Sequence, residues 1–93
     1  MAANLTPRLE KAADHVSRAR DMIRPGSKEG LEALAKAMEF LGRALIADGA
    51  EEKAESANAA ENWAHVALRR AGFSVEMARG YSAVPGAEIE DYA

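Results

Sequence analysis

The stretch from residue 31 to residue 48, LEALAKAMEFLGRALIAD, constrains the fold more than any other part of the chain. Large apolar side chains recur in it at alternating spacings of three and four residues, at Leu31, Leu34, Met38, Leu41 and Leu45. This spacing is that of one face of an α-helix. A second apolar stripe runs beside the first, at Ala33, Ala37, Phe40, Ala44 and Ala47. A helix that is apolar around most of its circumference needs neighbours on several sides, so we expect it at the centre of a helical bundle.

Proline and glycine divide the chain into segments of helical length. The helix stops, in chain order, are Pro25-Gly26, Gly49, Gly72 and Gly80. Hydroxyl residues that are suited to cap the helix starts are Thr6, which precedes Pro7, then Ser27 and Ser74. Serine and threonine are preferred at helix N-caps, proline at the first helical position and glycine just beyond the end. The pattern predicts three main helices, the second running to Asp48 and the third covering about 51–71, and a short fourth helix over 75–79.

The fold class that follows is all-α: a small antiparallel bundle of three main helices, a short fourth helix and an extended C-terminal tail. We place the helical bundle domain at residues 1–80 and the acidic tail at residues 81–93, where Pro85-Gly86 interrupts the chain and no helical period remains. The tail carries spaced apolar side chains, at Tyr81, Val84, Ile89 and Tyr92. An acidic segment of this kind fits two roles, docking on a partner or folding back over the bundle, and both stay open.

Small side chains dominate the apolar composition. The chain has 93 residues and 48% hydrophobic residues, but about a quarter of all residues are alanine. Alanine favours helix and buries little area, so the core is thin for a domain of this size. A thin core is often completed by self-association, and we expect a homo-oligomer. The alternative is a monomer whose helices approach closely through alanine.

Several protein classes are disfavoured by composition. There is no cysteine, which excludes disulfides and thiolate zinc sites. The first 16 residues have neither a basic region nor an apolar core, so we do not expect a signal peptide. No apolar run approaches the roughly 20 residues of a membrane span. We therefore expect a cytoplasmic protein without membrane contact, and the frequent alanine, glycine and arginine, typical of GC-rich genomes, suggest a bacterial or phage source.

Catalytic and metal-binding patterns are weak. Glu61 and His65 are four residues apart on the third helix, whereas di-iron bundles use a Glu-x-x-His spacing with further carboxylates. His65 falls on the predicted polar face, as a solvated residue. Glu61 lies at the margin of the apolar seam, where a snorkelling side chain or an ion pair with an arginine is favoured over a general base. We predict no catalytic residue, no metal ligand and no cofactor, and hence no enzyme.

Charge is distributed unevenly between the two ends of the predicted bundle. If the helices run up, down and up, one end collects a basic pole: Arg18, Arg20, Arg24, Lys28, Arg69, Arg70 and Arg79. Four acidic residues lie at the same end: Asp21, Glu29, Glu32 and Glu76. The opposite end carries Asp48, Glu51, Glu52 and Glu55. Cations at helix C-termini and anions at N-termini are explained by the helix dipole alone. The functional interpretation is that the basic pole docks an anionic partner.

The leading hypothesis is a small, non-catalytic protein of adaptor, regulator or inhibitor type that binds another protein, as a homodimer. The predicted partner-binding residues are Arg18, Arg20, Arg24, Arg69, Arg70, Arg79, Tyr81 and Tyr92. The alternative is a nucleic-acid-associated regulator that uses the same arginines, although the net charge of −3 and the lack of aromatic–basic interleaving disfavour it. A small metal-dependent or acid–base enzyme using Glu61 and His65 comes third.

Overall fold

Four helices account for most of the protein in the computed structural model, which describes residues 6–79. They are α1 (Thr6–Met22), α2 (Lys28–Ile46), α3 (Ala50–Arg70) and α4 (Val75–Arg79). The predicted fold class, an antiparallel bundle of three main helices and a short fourth, is confirmed. The predicted tail, with Tyr81 and Tyr92, lies outside the described residues. No helix within residues 6–79 is both long enough and apolar enough to cross a membrane.

Glycine and serine end and begin the helices at the C-terminal side of the bundle, as their positions predict. Gly72 has a φ of +101°, a conformation that glycine adopts without strain. The N–H of Phe73 donates to the carbonyl oxygen of Leu68, and the N–H of Gly72 to that of Arg69, both at 3.0 Å. This pair of bonds is a Schellman motif. Ser74 then caps α4, because its Oγ accepts a hydrogen bond from the N–H of Met77 at 3.2 Å.

Both ends of α2 differ in detail from the prediction. Ser27 occupies the N-cap position, but its side chain makes no capping hydrogen bond. The helix ends at Ile46 rather than Asp48 because Ala47 is already extended, with a ψ of 139°. The side chain of Lys53 satisfies the end of α2 instead, donating to the carbonyl oxygen of Ala44 at 2.8 Å.

Contacts at the two ends of the bundle establish the up-down-up order. The bond from Lys53 joins the end of α2 to the start of α3. At the other end, Met22 of α1 lines the same groove as Ala71, which follows α3. Gly30, near the start of α2, also lies against Ala71. α1 and α3 therefore end at the same pole, which is where α2 begins.

The helix at the centre of the bundle is α3, so the expectation that α2 is central is wrong. α3 packs against each of the other three helices. Its buried residues lie on several sides of its circumference: Ala57, Ala60, Glu61, Asn62, Ala64, His65, Val66, Ala67 and Leu68. Alanine allows neighbouring helices to approach closely, so the most alanine-rich helix can hold neighbours on three sides.

α2 buries its alanine stripe together with one leucine of its seam. Ala33, Ala37 and Ala44 are at most 1% exposed and Leu34 is 4% exposed, whereas Met38 is 48% and Leu45 61% exposed. α2 and α3 approach each other closely at Gly30. A Cβ at this position would lie 3.0 Å from the Cβ of Ala71 and 3.1 Å from the carbonyl oxygen of Ala67. Side chains larger than alanine at this contact would hold the two helices apart, and Leu31, Met38 and Leu45 lie on the outer side.

Candidate functional site

The end of the bundle where α1 and α3 finish and α2 begins carries a concentration of cations. Arg20 lies in the last turn of α1, Arg69 and Arg70 form the last turn of α3, and Lys28 is the first residue of α2. Arg24 follows α1 in the loop. The geometry therefore brings together most of the basic pole that the sequence predicts, and these five side chains are exposed.

A groove of about 350 Å³ opens among these cations. We call it the pole groove, and its lining residues are Met22, Arg24, Gly26, Ser27, Ala71 and Phe73. Met22, Ala71 and Phe73 are partly buried and pack against the hydrophobic core, so each presents one apolar side to the groove. Pockets that bind a ligand side chain are commonly apolar with a few polar groups at the edge, and the pole groove has this composition.

Two of the arginines beside the pole groove are held by contacts with the bundle. Arg69 donates from Nη1 to the carbonyl oxygen of Phe73 at 3.0 Å. The guanidinium carbon of Arg70 lies 5.9 Å from the centroid of the Trp63 ring, at the outer limit of a cation–π contact. These contacts reduce the conformational freedom of both side chains before any partner binds, which lowers the entropy lost on binding.

The other predicted partner-binding residues lie in different surroundings. Arg18 is only partly exposed. Arg79 directly follows Ala78, whose carbonyl oxygen accepts a hydrogen bond from His15. His15 is about 10 Å along α1 from Met22, at 1.5 Å per residue, so Arg79 is displaced from the pole groove towards the middle of the bundle. Tyr81 and Tyr92 lie outside the described residues.

A second polar cluster lies between α1 and α3, and it is buried. Arg8 Nη1 is 2.9 Å from Glu61 Oε1, and the Glu61 side chain is 2% exposed. The predicted ion pair between Glu61 and an arginine is confirmed. Among residues 6–79, no hydrogen bond reaches the second carboxylate oxygen, Oε2. Glu61 thus holds a charge inside the bundle with Arg8 as its main compensation.

Both histidines are buried, which the sequence did not predict. His15 is 1% and His65 4% exposed, so the expectation of a solvated His65 on a polar face is wrong. Asn62, one helical turn before His65, is also buried, at 6% exposed. The physical reason is that α3 has neighbours on three sides, which leaves only a narrow face for water. The signal that could have shown this is the continuity of small residues around α3.

His15 connects α1 to α4. Its Nε2 donates to the carbonyl oxygen of Ala78 at 2.9 Å. Burial lowers the pKa of His15 below its ordinary value of 6.5, and the charges of Arg18 and Lys11 act in the same direction. The bond to Ala78 and the carboxylate of Glu61 oppose this lowering without cancelling it. The neutral imidazole is therefore the favoured form near pH 7.

The buried cluster has a structural geometry rather than that of an open site. Glu61 is engaged by Arg8 and His15 by Ala78, both across helix interfaces. Within residues 6–79, no group of three or more histidine or carboxylate side chains is arranged to hold a metal ion. The cluster can therefore fix the register of α1 and α4 against each other and against α3.

No protein family, curated protein or solved structure matches this chain.

Proposed function

We propose that the protein is a small, non-catalytic, homodimeric interaction protein, and that its pole groove binds an acidic segment of another protein. The observation that carries the proposal is an apolar groove that is lined by Arg24 and whose lining residue Phe73 accepts a hydrogen bond from Arg69. An anionic segment with one large apolar side chain matches this surface, since the side chain fills the groove and carboxylates meet Arg24, Arg69 and Arg70. A cytoplasmic location and a bacterial or phage origin stay predictions from composition.

The apolar part of the groove favours a protein segment over a phosphate backbone. Aromatic or aliphatic anchors in a desolvated pocket provide much of the energy of protein interfaces, and arginine is enriched there. Met22 and Phe73 are partly exposed at the groove, and burying them by an anchor side chain would add to the attraction between charges. Electrostatic attraction at the rim would mainly speed association and orient the segment.

A non-catalytic role is supported by the state of Glu61, the one buried carboxylate among residues 6–79. Glu61 is 2% exposed and paired with Arg8, so a substrate does not reach it in this conformation. The tyrosines of the tail, Tyr81 and Tyr92, form a second proposed binding surface, which acts separately from the pole groove.

The proposal is tested with two synthetic acidic peptides that differ in one side chain, DEDFEDE and DEDSEDE, in an amide NMR titration of the isotope-labelled protein. We expect the phenylalanine peptide to shift the resonances of Met22, Arg24 and Phe73 with sub-millimolar to millimolar affinity. The serine peptide lacks the side chain that fills the groove, so we expect it to bind at least about tenfold more weakly. This factor corresponds to a loss of about 1.4 kcal/mol of binding free energy.

The matched variants change charge with little effect on the fold. Arg69→Gln and Arg70→Gln together should weaken binding of the phenylalanine peptide at least about tenfold, since charge-assisted contacts contribute more than neutral ones. Lys36→Gln, an exposed cation on α2 away from the groove, should leave the affinity unchanged. Equal binding of both peptides, or no loss in the arginine variant, would rule out the pole groove as the binding surface.

The alternative function, a nucleic-acid-associated regulator, is favoured only by the concentration of cations at the basic pole. Phosphate contacts are strongest at low salt. Retention of DNA or RNA at about 50 mM salt that is lost in the Arg69→Gln, Arg70→Gln variant would support this alternative. Absence of binding under these conditions would eliminate it.

A further inference from the structure

The described part of the chain exposes more large apolar side chains than it buries. Ten of the fifteen buried hydrophobic residues are alanine, and the larger ones are Val16, Ile23, Leu34, Val66 and Leu68. The exposed large hydrophobic residues are Leu31, Met38, Leu45, Ile46, Val75 and Met77. A soluble monomer scatters such residues singly, whereas a contiguous group of them marks an interaction surface.

Four of the six exposed residues lie on one side of α2. Leu31, Met38 and Leu45 recur at intervals of seven residues, which is two turns of a helix, and Ile46 borders the last of them. Small residues alternate with them along the same face, at Ala35 and Gly42. We call this set, from Leu31 to Ile46, the outer face of α2.

We propose that the outer face of α2 binds the outer face of α2 from a second copy of the chain, in antiparallel orientation. In a two-fold symmetric pair of parallel helices each residue faces its own copy, so large side chains meet large ones, whereas reversing one helix brings large side chains opposite small ones. With Met38 opposite Gly42 of the second copy, Leu45 comes opposite Ala35. Two of the large side chains of each copy, Met38 and Leu45, therefore meet small residues.

The expected dimer is weak because one helix from each copy makes the contact. α2 has 19 residues and is about 28 Å long. Interfaces below roughly 1,200 Å² are characteristic of weak or transient complexes, so we expect a dissociation constant on the order of micromolar. This inference rests on the proposed self-association and does not depend on the pole groove, which lies beside the first turn of α2 and the ends of α1 and α3.

Sedimentation velocity over a concentration series of the full chain tests the interface. Met38→Glu should weaken the dimer at least about a hundredfold, because it places a carboxylate in the desolvated centre of the contact. The matched control is Met77→Glu on α4, since Met77 and Met38 are each 48% exposed. We expect this control to dimerise like the unmodified chain.

A second variant separates loss of the dimer from loss of the fold. A Cβ at Gly42 would meet no atom within 4 Å in the single chain, so Gly42→Leu fits the monomer and gains helix propensity. In the proposed dimer, the added side chain collides with Met38 of the second copy. We therefore expect a folded, monomeric protein, with undiminished helical circular dichroism and at least a hundredfold weaker association.

Disulfide trapping tests the orientation, since the chain contains no cysteine of its own. Chains with Met38→Cys are mixed with chains with Gly42→Cys under mild oxidation. The antiparallel register predicts that the mixed disulfide forms faster than either self-disulfide, because only matched Cβ atoms come within disulfide distance. Dominance of the Met38→Cys self-disulfide would overturn the antiparallel orientation.

The remaining outcomes distinguish this inference from the proposed function. If the chain sediments as a monomer up to about millimolar concentration, both the interface and the homodimer are overturned. A dimer that survives Met38→Glu and Gly42→Leu would overturn the interface while retaining the homodimer. Dissociation of the dimer by Met77→Glu would also count against the α2 interface. Peptide binding at the pole groove is measured separately and does not change with any of these results.

Discussion

Individual residues with charge or polarity inside this small core have the largest consequences for stability. Glu61 is 2% exposed and Arg8 23%, with 2.9 Å between Oε1 and Nη1. A buried ion pair is a weak source of stability in itself, but removing one partner leaves an uncompensated charge. Glu61 and Arg8 should therefore tolerate joint replacement by apolar residues better than replacement of Arg8 alone.

Arg8→Met should lower the free energy of unfolding by about 1–3 kcal/mol, less than for a fully buried pair because water reaches the Arg8 side chain. The double variant Arg8→Met, Glu61→Met should recover most of this loss, since no charge is left without a partner. Urea unfolding of the two single variants and the double variant measures the coupling. If the double variant loses as much unfolding free energy as the two single variants lose together, the two residues are not coupled.

The buried His15 makes stability depend on pH. The pKa of His15 is lowered in the folded state by burial, so the unfolded chain binds a proton at a higher pH than the folded chain does. Stability from the neutral His15 is thus complete above about pH 6.5 and is lost as the pH falls towards the folded pKa. The slope of this loss reaches at most about 1.4 kcal/mol per pH unit.

His15→Gln should reduce this pH dependence, because glutamine keeps an amide donor for Ala78 and does not titrate. The measurement is urea unfolding of both proteins at pH 7.5 and pH 5.5. The difference in unfolding free energy between the two pH values should be smaller in the variant. Identical pH profiles would mean that His15 is not responsible for the acid sensitivity.

At the scale of helices, two glycines of α2 show how differently the inner and outer faces of that helix are packed. A Cβ at Gly30 would lie 2.8 Å from Ser27 Oγ, 3.0 Å from Ala71 Cβ and 3.1 Å from the carbonyl oxygen of Ala67. A Cβ at Gly42 would contact nothing within 4 Å. The same substitution therefore has opposite consequences at the inner and outer sides of one helix.

Gly30→Ala should destabilise the protein by about 1–3 kcal/mol, because the Ala67 backbone limits how far the helices can separate and overpacking is costly. Gly42→Ala should stabilise it by up to about 1 kcal/mol, the difference in helix propensity between the two residues. Unfolding at a few micromolar protein compares the two variants. Stabilisation by both substitutions would contradict the close approach of α2 and α3.

At the scale of the whole molecule, the proposed homodimer predicts that stability depends on protein concentration. A partner that binds only the folded state raises stability by mass action. The melting temperature of the unmodified chain should therefore rise with protein concentration, by a few degrees per tenfold increase for a domain of this size. Gly42→Leu should melt at a temperature that is independent of concentration, although its monomer is as stable or more stable. A concentration-independent transition in both proteins would argue against self-association.

Periodicity and helix-stop residues were enough to predict the helices and their order. The stops at Gly49 and Gly72 and the cap at Ser74 follow from local chemistry. The same reasoning was wrong about α2, where it assigned Leu31, Met38 and Leu45 to the core because large apolar side chains usually decide which face is buried. It was also wrong about His65, because the residues at helical spacing from it, Asn62 and Arg69, are polar.

Number, extent and direction of the helices are properties that neighbouring residues determine, because propensity, capping and apolar spacing act within a few turns. The choice of the inner face of α2 and the central position of α3 depended on tertiary packing. The backbones of α2 and α3 approach each other at Gly30, Ala67 and Ala71. Small side chains permit more contact between the two helices there than leucine side chains would. That close approach left Leu31, Met38 and Leu45 on the outside, and the packing of α3 against three other helices buried His65.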